Sequence, residues 1–136
     1  MPLEIIEHNG VRYAEIIRSD LCVGESTFFS PPESSMQFGL LARKKGFIEV
    51  PHTHPTVDRN VTDCQQMVVV QDGIVVFDFY TQGGEKFQEA LLHPGDAILL
   101  VDGAHSMRAV EDYQCVSVKQ GPFLGVKEDK IPLEEA

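Results

Sequence analysis

Apolar residues in this chain come in short runs broken by turn residues, and no stretch keeps a helical period for long. Val11 to Arg18 is apolar and β-branched and follows Asn9-Gly10, a dipeptide that favours the positive φ angles of a tight hairpin. Ser26 to Phe29 is a second extended piece, stopped by Pro31-Pro32. Met36 to Arg43 fits a strand or a helical turn by periodicity; Gly39 inside it and Lys44-Lys45-Gly46 after it favour a strand. Phe47 to Val50 runs up to Pro51, and the polar stretch from Pro55 to Thr62 reads as a loop. Gln66 to Gln71 and Ile74 to Thr81 flank Asp72-Gly73, which predicts a hairpin. Gly83-Gly84 makes the next turn, Lys86 to His93 follows, and Pro94-Gly95-Asp96 turns again. Ala97 to Val101 is a continuous apolar run ended by Asp102-Gly103. His105 to Val110 and Tyr113 to Lys119 lie either side of Glu111-Asp112. From Gly121 onward, Pro122, Gly125 and Pro132 predict an irregular tail. Many short strands with regular turns predict an all-β sandwich or barrel.

Length and composition narrow the picture further. A chain of 136 residues predicts one domain with a core that needs no disulfide staples. The charge is strongly acidic, 21 Asp and Glu against 11 Lys and Arg, for a net charge of −10. Such a chain is a poor partner for nucleic acid or an anionic membrane surface. No run of apolar residues is long enough for a membrane span, and the N-terminal Met-Pro-Leu-Glu-Ile-Ile-Glu-His lacks a basic leader region. Cys22, Cys64 and Cys115 are odd in number and widely spaced, so they are expected as small buried hydrophobes in a reducing compartment. These features together predict a cytoplasmic protein.

The chemistry begins at His52-Thr53-His54. On a strand, residues i and i+2 share a face, so both imidazoles can reach one metal ion. The plainer alternative is a pair of surface histidines. Pro51 and Pro55 bracket and stiffen the pair, His105 follows an Asp-Gly turn at the start of another strand, and Gln66 opens the Asp72-Gly73 segment. Two histidines from one strand and one from another, with an oxygen donor between, match metal sites that keep open coordination positions.

Here the spacing resembles a known pattern. Gly46-(x5)-His52-x-His54 followed by Gln66-(x6)-Gly73 resembles the first motif of the cupin superfamily, and Gly95-(x5)-Val101-x-Gly103-x-His105 resembles the second. The resemblance covers about residues 36 to 120. It implies a cupin jelly-roll β-barrel spanning 1–136 as a single domain, with extra N-terminal strands within 1–30 and the irregular tail at 121–136. Three departures stand out. Gln66 occupies the place of the usual Glu after a longer linker, Val101 stands where Pro is usual, and one residue rather than two separates Gly103 from His105. The long linker and the closing Lys119-Gln120-Gly121-Pro122 look like a subgroup of small single-domain cupins, some found beside sugar-nucleotide genes.

The resemblance implies one divalent transition metal (Zn, Fe, Mn or Ni) held by His52, His54, Gln66 and His105. With a neutral amide in place of a carboxylate, the ion would keep its full charge and favour an anionic ligand. The function expected is binding of, or isomerase, lyase or dioxygenase chemistry on, a small polar or anionic metabolite. The alternatives are a metal-free sugar-nucleotide isomerase or epimerase relative and a non-catalytic small-ligand sensor. Arg59 is a candidate anchor for an anion, or a solvated loop arginine. Phe77 and Phe79 are expected in the core, with Phe77 and Met107 as candidate pocket lining. His93 and His8 are expected as surface turn histidines. The implied partners are a small-molecule ligand and a second copy of the chain in a homodimer. Neither Ser106 nor Cys64 has the base and orienter that nucleophilic catalysis needs.

Overall fold

The computed structural model describes residues 3–133. The first two residues and the last three of the expected tail, 134–136, lie outside the described residues. The described chain is all-β and antiparallel, and it divides into two units: the segments up to Leu21 and from Cys64 onward form one, and Cys22–Asp63 the other. No helix among the described residues is long and apolar enough to cross a membrane.

The first unit holds two sheets. The larger runs β1(Glu4–His8), β2(Val11–Ile17), β8(Ala97–Leu100), β5(Gln66–Asp72), β10(Gln114–Lys119) in that order. The smaller runs β7(Lys86–Leu92), β6(Val75–Tyr80), β9(Ala104–Ala109). Each ladder ends at free edges, so the closed barrel expected from the sequence is not formed. The N-terminal strands β1 and β2 belong to the larger sheet. β2 pairs with β8 across Ala14↔Leu100 and Ile16↔Ile98 and sits inside the larger sheet.

Side chains from both sheets share one core: Ile16, Val68, Val70, Ile98 and Leu100 from the larger, Val75, Phe77, Phe79, Ala90 and Leu92 from the smaller. Phe77 and Phe79 are 1% and 0% exposed. Each such burial contributes roughly 1.5–3 kcal/mol, which makes β6 the centre of the packing.

Asn9 and Gly10, with φ of 50° and 78°, form the expected hairpin between β1 and β2. The turn at Gly83-Gly84 likewise joins β6 and β7, which pair. Asp72-Gly73 does not make a hairpin. β5 pairs with β8 and β10, whereas β6 pairs with β7 and β9, so the connection crosses from one sheet to the other. The connection through Glu111-Asp112 crosses back in the same way.

The two crossings lie against each other. Val110 and Glu111 both donate their N–H to Ile74 O, at 2.9 and 3.2 Å. A Cβ on Gly73, whose φ is +81°, would come within 2.8 Å of Tyr113 Cα. Gly73 therefore serves a close backbone approach as well as a left-handed turn. A third crossing, between β7 and β8, ends at the same side. There the buried Asp96 carboxylate accepts from Ser19 N at 2.8 Å, His93 N at 2.9 Å and Arg18 Nη1 at 3.2 Å. The sandwich is thus closed by backbone and salt bridges at the end that holds Gly73 and Asp96.

The second unit is organised around β3(Thr27–Phe28) and β4(Gly39–Leu40). Of the strand expected over Met36 to Arg43, only the part at Gly39–Leu40 pairs. Phe29 N donates to Phe38 O at 2.8 Å, and Ser30 Oγ accepts from Phe38 N at 2.9 Å. Phe47 to Val50, expected as a strand, is irregular, and so is everything from there to Asp63. His52 and His54 consequently do not lie on a strand. Pro51 and Pro55, expected to stiffen a strand end, remove two backbone donors within five residues and no neighbouring strand pairs with the segment. Leu41, Phe47, Ile48, Val50, Val57 and Val61 are all exposed.

Candidate ligand site at the open end of the two-sheet unit

The end of the sandwich opposite Gly73 carries one sheet crossing, Val101 to Gly103 from β8 to β9, against three at the Gly73 end. It is framed by the start of β5, the end of β10, the end of β6, and the end of β8 with the start of β9 that the crossing joins. Pairing partners in an antiparallel ladder project from the same face. Leu100 is in the core, so its partner Gln66, and Lys119 opposite Gln66, face the interior; Ser117, opposite the buried Val68, does too. On the smaller sheet, His105 is opposite Phe79 and Met107 opposite Phe77, which turns both inward. The open end therefore brings His105 and Met107 from one sheet toward Gln66, Ser117 and Lys119 from the other.

The turn before His105 is fixed tightly. Val101 donates its N–H to Tyr13 O at 2.8 Å, and a Cβ on Gly103 (φ +75°) would lie 2.6 Å from Tyr13 Cζ. Tyr13 in turn meets Phe79 edge-on with centroids 6.3 Å apart. Gly103 thus sets where β9 begins.

His105 keeps more than a third of its surface exposed, yet protein surrounds its ring on several sides. That desolvation, and then the charge of Lys130, pushes its pKa below 6.5. The imidazole is therefore neutral near pH 7. Gln66 donates from Nε2 to Ser117 Oγ at 2.8 Å, which leaves the amide oxygen of Gln66 as an acceptor. Lys119 donates to Asp129 Oδ2, and this hydrogen bond is the main cause that raises its pKa. Asp129 belongs to α1(Val126–Asp129), a single turn in the tail, and its Oδ1 is 4.0 Å from Cys64 Sγ.

The other candidate residues fall elsewhere. His52 and His54 lie in the second unit, fully outside regular structure, with ring centroids 5.3 Å apart and planes at 79°. His52 Nδ1 donates to Val50 O at 2.8 Å, and its Nε2 is 3.2 Å from Glu49 Oε1. Arg59 is an exposed residue of the same irregular stretch. Phe77 is buried in the core, as the alternation on β6 predicts, and offers no surface to a ligand; Met107 is partly buried and packs on that core. Cys22 and Cys64 are exposed, contrary to the expected burial; both sit in or beside the irregular second unit, where there is no core to enclose them. Cys115 packs against the core of the first unit, and burial raises its thiol pKa. His93 is exposed in its turn, and His8 stacks on Phe87 at 4.6 Å.

The donors expected for a metal suit one singly. His105 is held neutral, the form that ligates, the Nδ1 bond of His52 to a backbone carbonyl is the kind that orients a metal-bound imidazole, and Gln66 has a free amide oxygen. As a set they do not: among the described residues, no three His, Cys, Asp or Glu side chains are gathered as a metal ion needs.

Sequence reasoning passed over Ser117, Lys119, Asp129 and Lys130. The alternation Cys115-Val116-Ser117-Val118-Lys119, set against the core face of β5, would have pointed to the first two. It also passed over Asp78, buried on the outer face of the smaller sheet. Arg108 donates to it at 2.6 and 3.1 Å and Lys86 lies at 3.5 Å; the Arg108 bond first, and both charges, hold its carboxyl below the usual range. This cluster ties the three strands of the smaller sheet together and faces away from the open end. No family model, no curated protein and no solved structure matches the chain.

Proposed function

We propose that this chain is a cupin-type protein that binds a small anionic metabolite between its two sheets, at the end where His105 and Lys119 face inward. The observation that carries the reading is the ladder register: it turns a cation, a neutral imidazole, an amide oxygen and a hydroxyl inward at the end that a single sheet crossing, Val101 to Gly103, bridges. A cation supplies affinity for an anion, and the neutral groups supply direction. Lys119 and Lys130 are too few to recommend a nucleotide diphosphate, so a small acid suits the site better than a sugar nucleotide.

Isothermal titration with small carboxylates and inorganic phosphate tests this. Binding that is lost in both Lys119→Met and His105→Ala supports it. Binding unchanged in both variants, or no binding of any small anion, overturns it.

A second reading adds the divalent metal. It is favoured by the His52 bond to Val50 O and the neutral state of His105. Elemental analysis of purified protein, with His52→Ala and His105→Ala alongside, decides it. About one equivalent of metal, lost in either variant, supports this reading; equal metal content in all three refutes it.

A further inference from the structure

The tail after Phe123 spans the open end. Asp129 bonds Lys119 on the larger sheet. The next residue, Lys130, stands close enough to His105 on the smaller sheet for its charge to act on the imidazole. Leu133 Cδ2 lies 3.9 Å from the Cβ position of Gly84, in the turn that joins β6 and β7. One hydrogen bond to the larger sheet and two close approaches to the smaller one thus carry a short segment across the end where the site opens.

The hold is polar and not apolar. No residue of α1 is buried, and Phe123, Leu124, Val126 and Ile131 are each more than two-thirds exposed. The Asp129 side chain is sheltered, 15% exposed against 30% for Lys119. The carboxylate therefore sits where the incoming anion of the proposed ligand would have to sit.

We propose that Lys119 is a carboxylate subsite which the chain's own Asp129 fills, so that the ligand is a small carboxylic acid that displaces the 126–133 segment when it binds. The proposal rests on the small-anion reading of the same site. An intramolecular carboxylate competes at an effective concentration on the order of millimolar or higher, and a free acid must outcompete it. Displacement also moves the Lys130 charge away from His105 and frees the imidazole for the ligand's second polar group.

The test is titration of the full-length chain with malonate and, separately, with inorganic phosphate. Asp129→Asn and Asp129→Ala remove the competitor by different means, so a fold defect in one does not decide the outcome. Both are expected to bind malonate at least about tenfold more tightly than the parent chain, because removing the competitor removes its mass-action penalty. Adding Lys119→Met to either is expected to abolish the gain. Hydrogen exchange in the parent chain is expected to speed up at residues 126–133 on adding malonate. Equal malonate affinity in the parent chain and both Asp129 variants overturns the self-filled subsite while leaving the small-anion reading intact. A gain for phosphate with none for malonate overturns the carboxylate assignment. Failure of every chain, Asp129 variants included, to bind either anion overturns both readings.

Discussion

Gly73→Ala tests how the crossings pack at the closed end. At φ +81° an L side chain costs about 1–2 kcal/mol, and the stiffer unfolded chain returns about 0.4–1 of this. The same arithmetic applies at Gly10, φ +78°, where a Cβ meets nothing within 4 Å, so Gly10→Ala should cost about 0.5–1 kcal/mol. Gly73 differs in its surroundings. Its Cβ would stand 2.8 Å from both Asp112 C and Tyr113 Cα, against an ordinary carbon contact of about 3.5–4.0 Å. The obstacle is backbone, and it cannot rotate away. Moving it stretches the bonds from Val110 and Glu111 to Ile74 O, each worth about 1 kcal/mol. The sum for Gly73→Ala is about 3 kcal/mol, three or more times the cost at Gly10. Urea unfolding of the two variants measures the difference through their midpoints, at unchanged slope. Equal destabilisation, or a Gly73→Ala cost under about 1 kcal/mol, would refute the packed-crossing geometry at the closed end.

Phe79→Ala, which removes a ring with no exposed surface, should destabilise by about 3–5 kcal/mol in the same assay, against under about 1 kcal/mol for Phe123→Ala on the exposed tail. Asp96→Ala should cost about 2–4 kcal/mol, since it strands the N–H groups of Ser19 and His93 and the Arg18 guanidinium at a buried joint; Asp96→Asn should recover part of this. For pH, the folded pKa of His105 lies below 6.5, so the unfolded chain takes up a proton more readily. The His105 contribution is intact above about 6.5 and is lost as pH falls below it, and His105→Ala should flatten the stability profile in that window. Asp78, lowered from 3.8 by Arg108, acts further down: its contribution holds above about 3.8 and disappears below, so Arg108→Ala should reduce acid resistance without moving the window near 6.5.

Strands with their own short-range signals were legible in the sequence. The Asn9-Gly10 and Gly83-Gly84 hairpins and the alternating face of Phe77 and Phe79 needed only local patterning. Pairing partners were not legible. Asp72-Gly73 carries the positive φ a hairpin needs, and a sheet crossing needs the same φ; the choice is made by Asp112 and Tyr113, some forty residues away. The apolar segment Phe47 to Val50 has strand composition, yet β propensity expresses packing against neighbouring strands, and none pairs with it. In the site, Gln66 and His105 came from motif spacing. Ser117 and Lys119 depend on the β5–β10 register, and Asp129 on where the tail returns, neither of which leaves a mark on a linear pattern.

The central claim is that the ligand enters between the sheets at the end framed by His105 and Lys119. Amide and imidazole chemical-shift mapping with a panel of small carboxylic acids, malonate first, tests it directly. The account predicts saturable shifts confined to Gln66, His105, Met107, Ser117, Lys119 and the 126–133 segment. Shifts that centre on the closed end around Arg18 and Asp96, or that spread with no saturation, would contradict it.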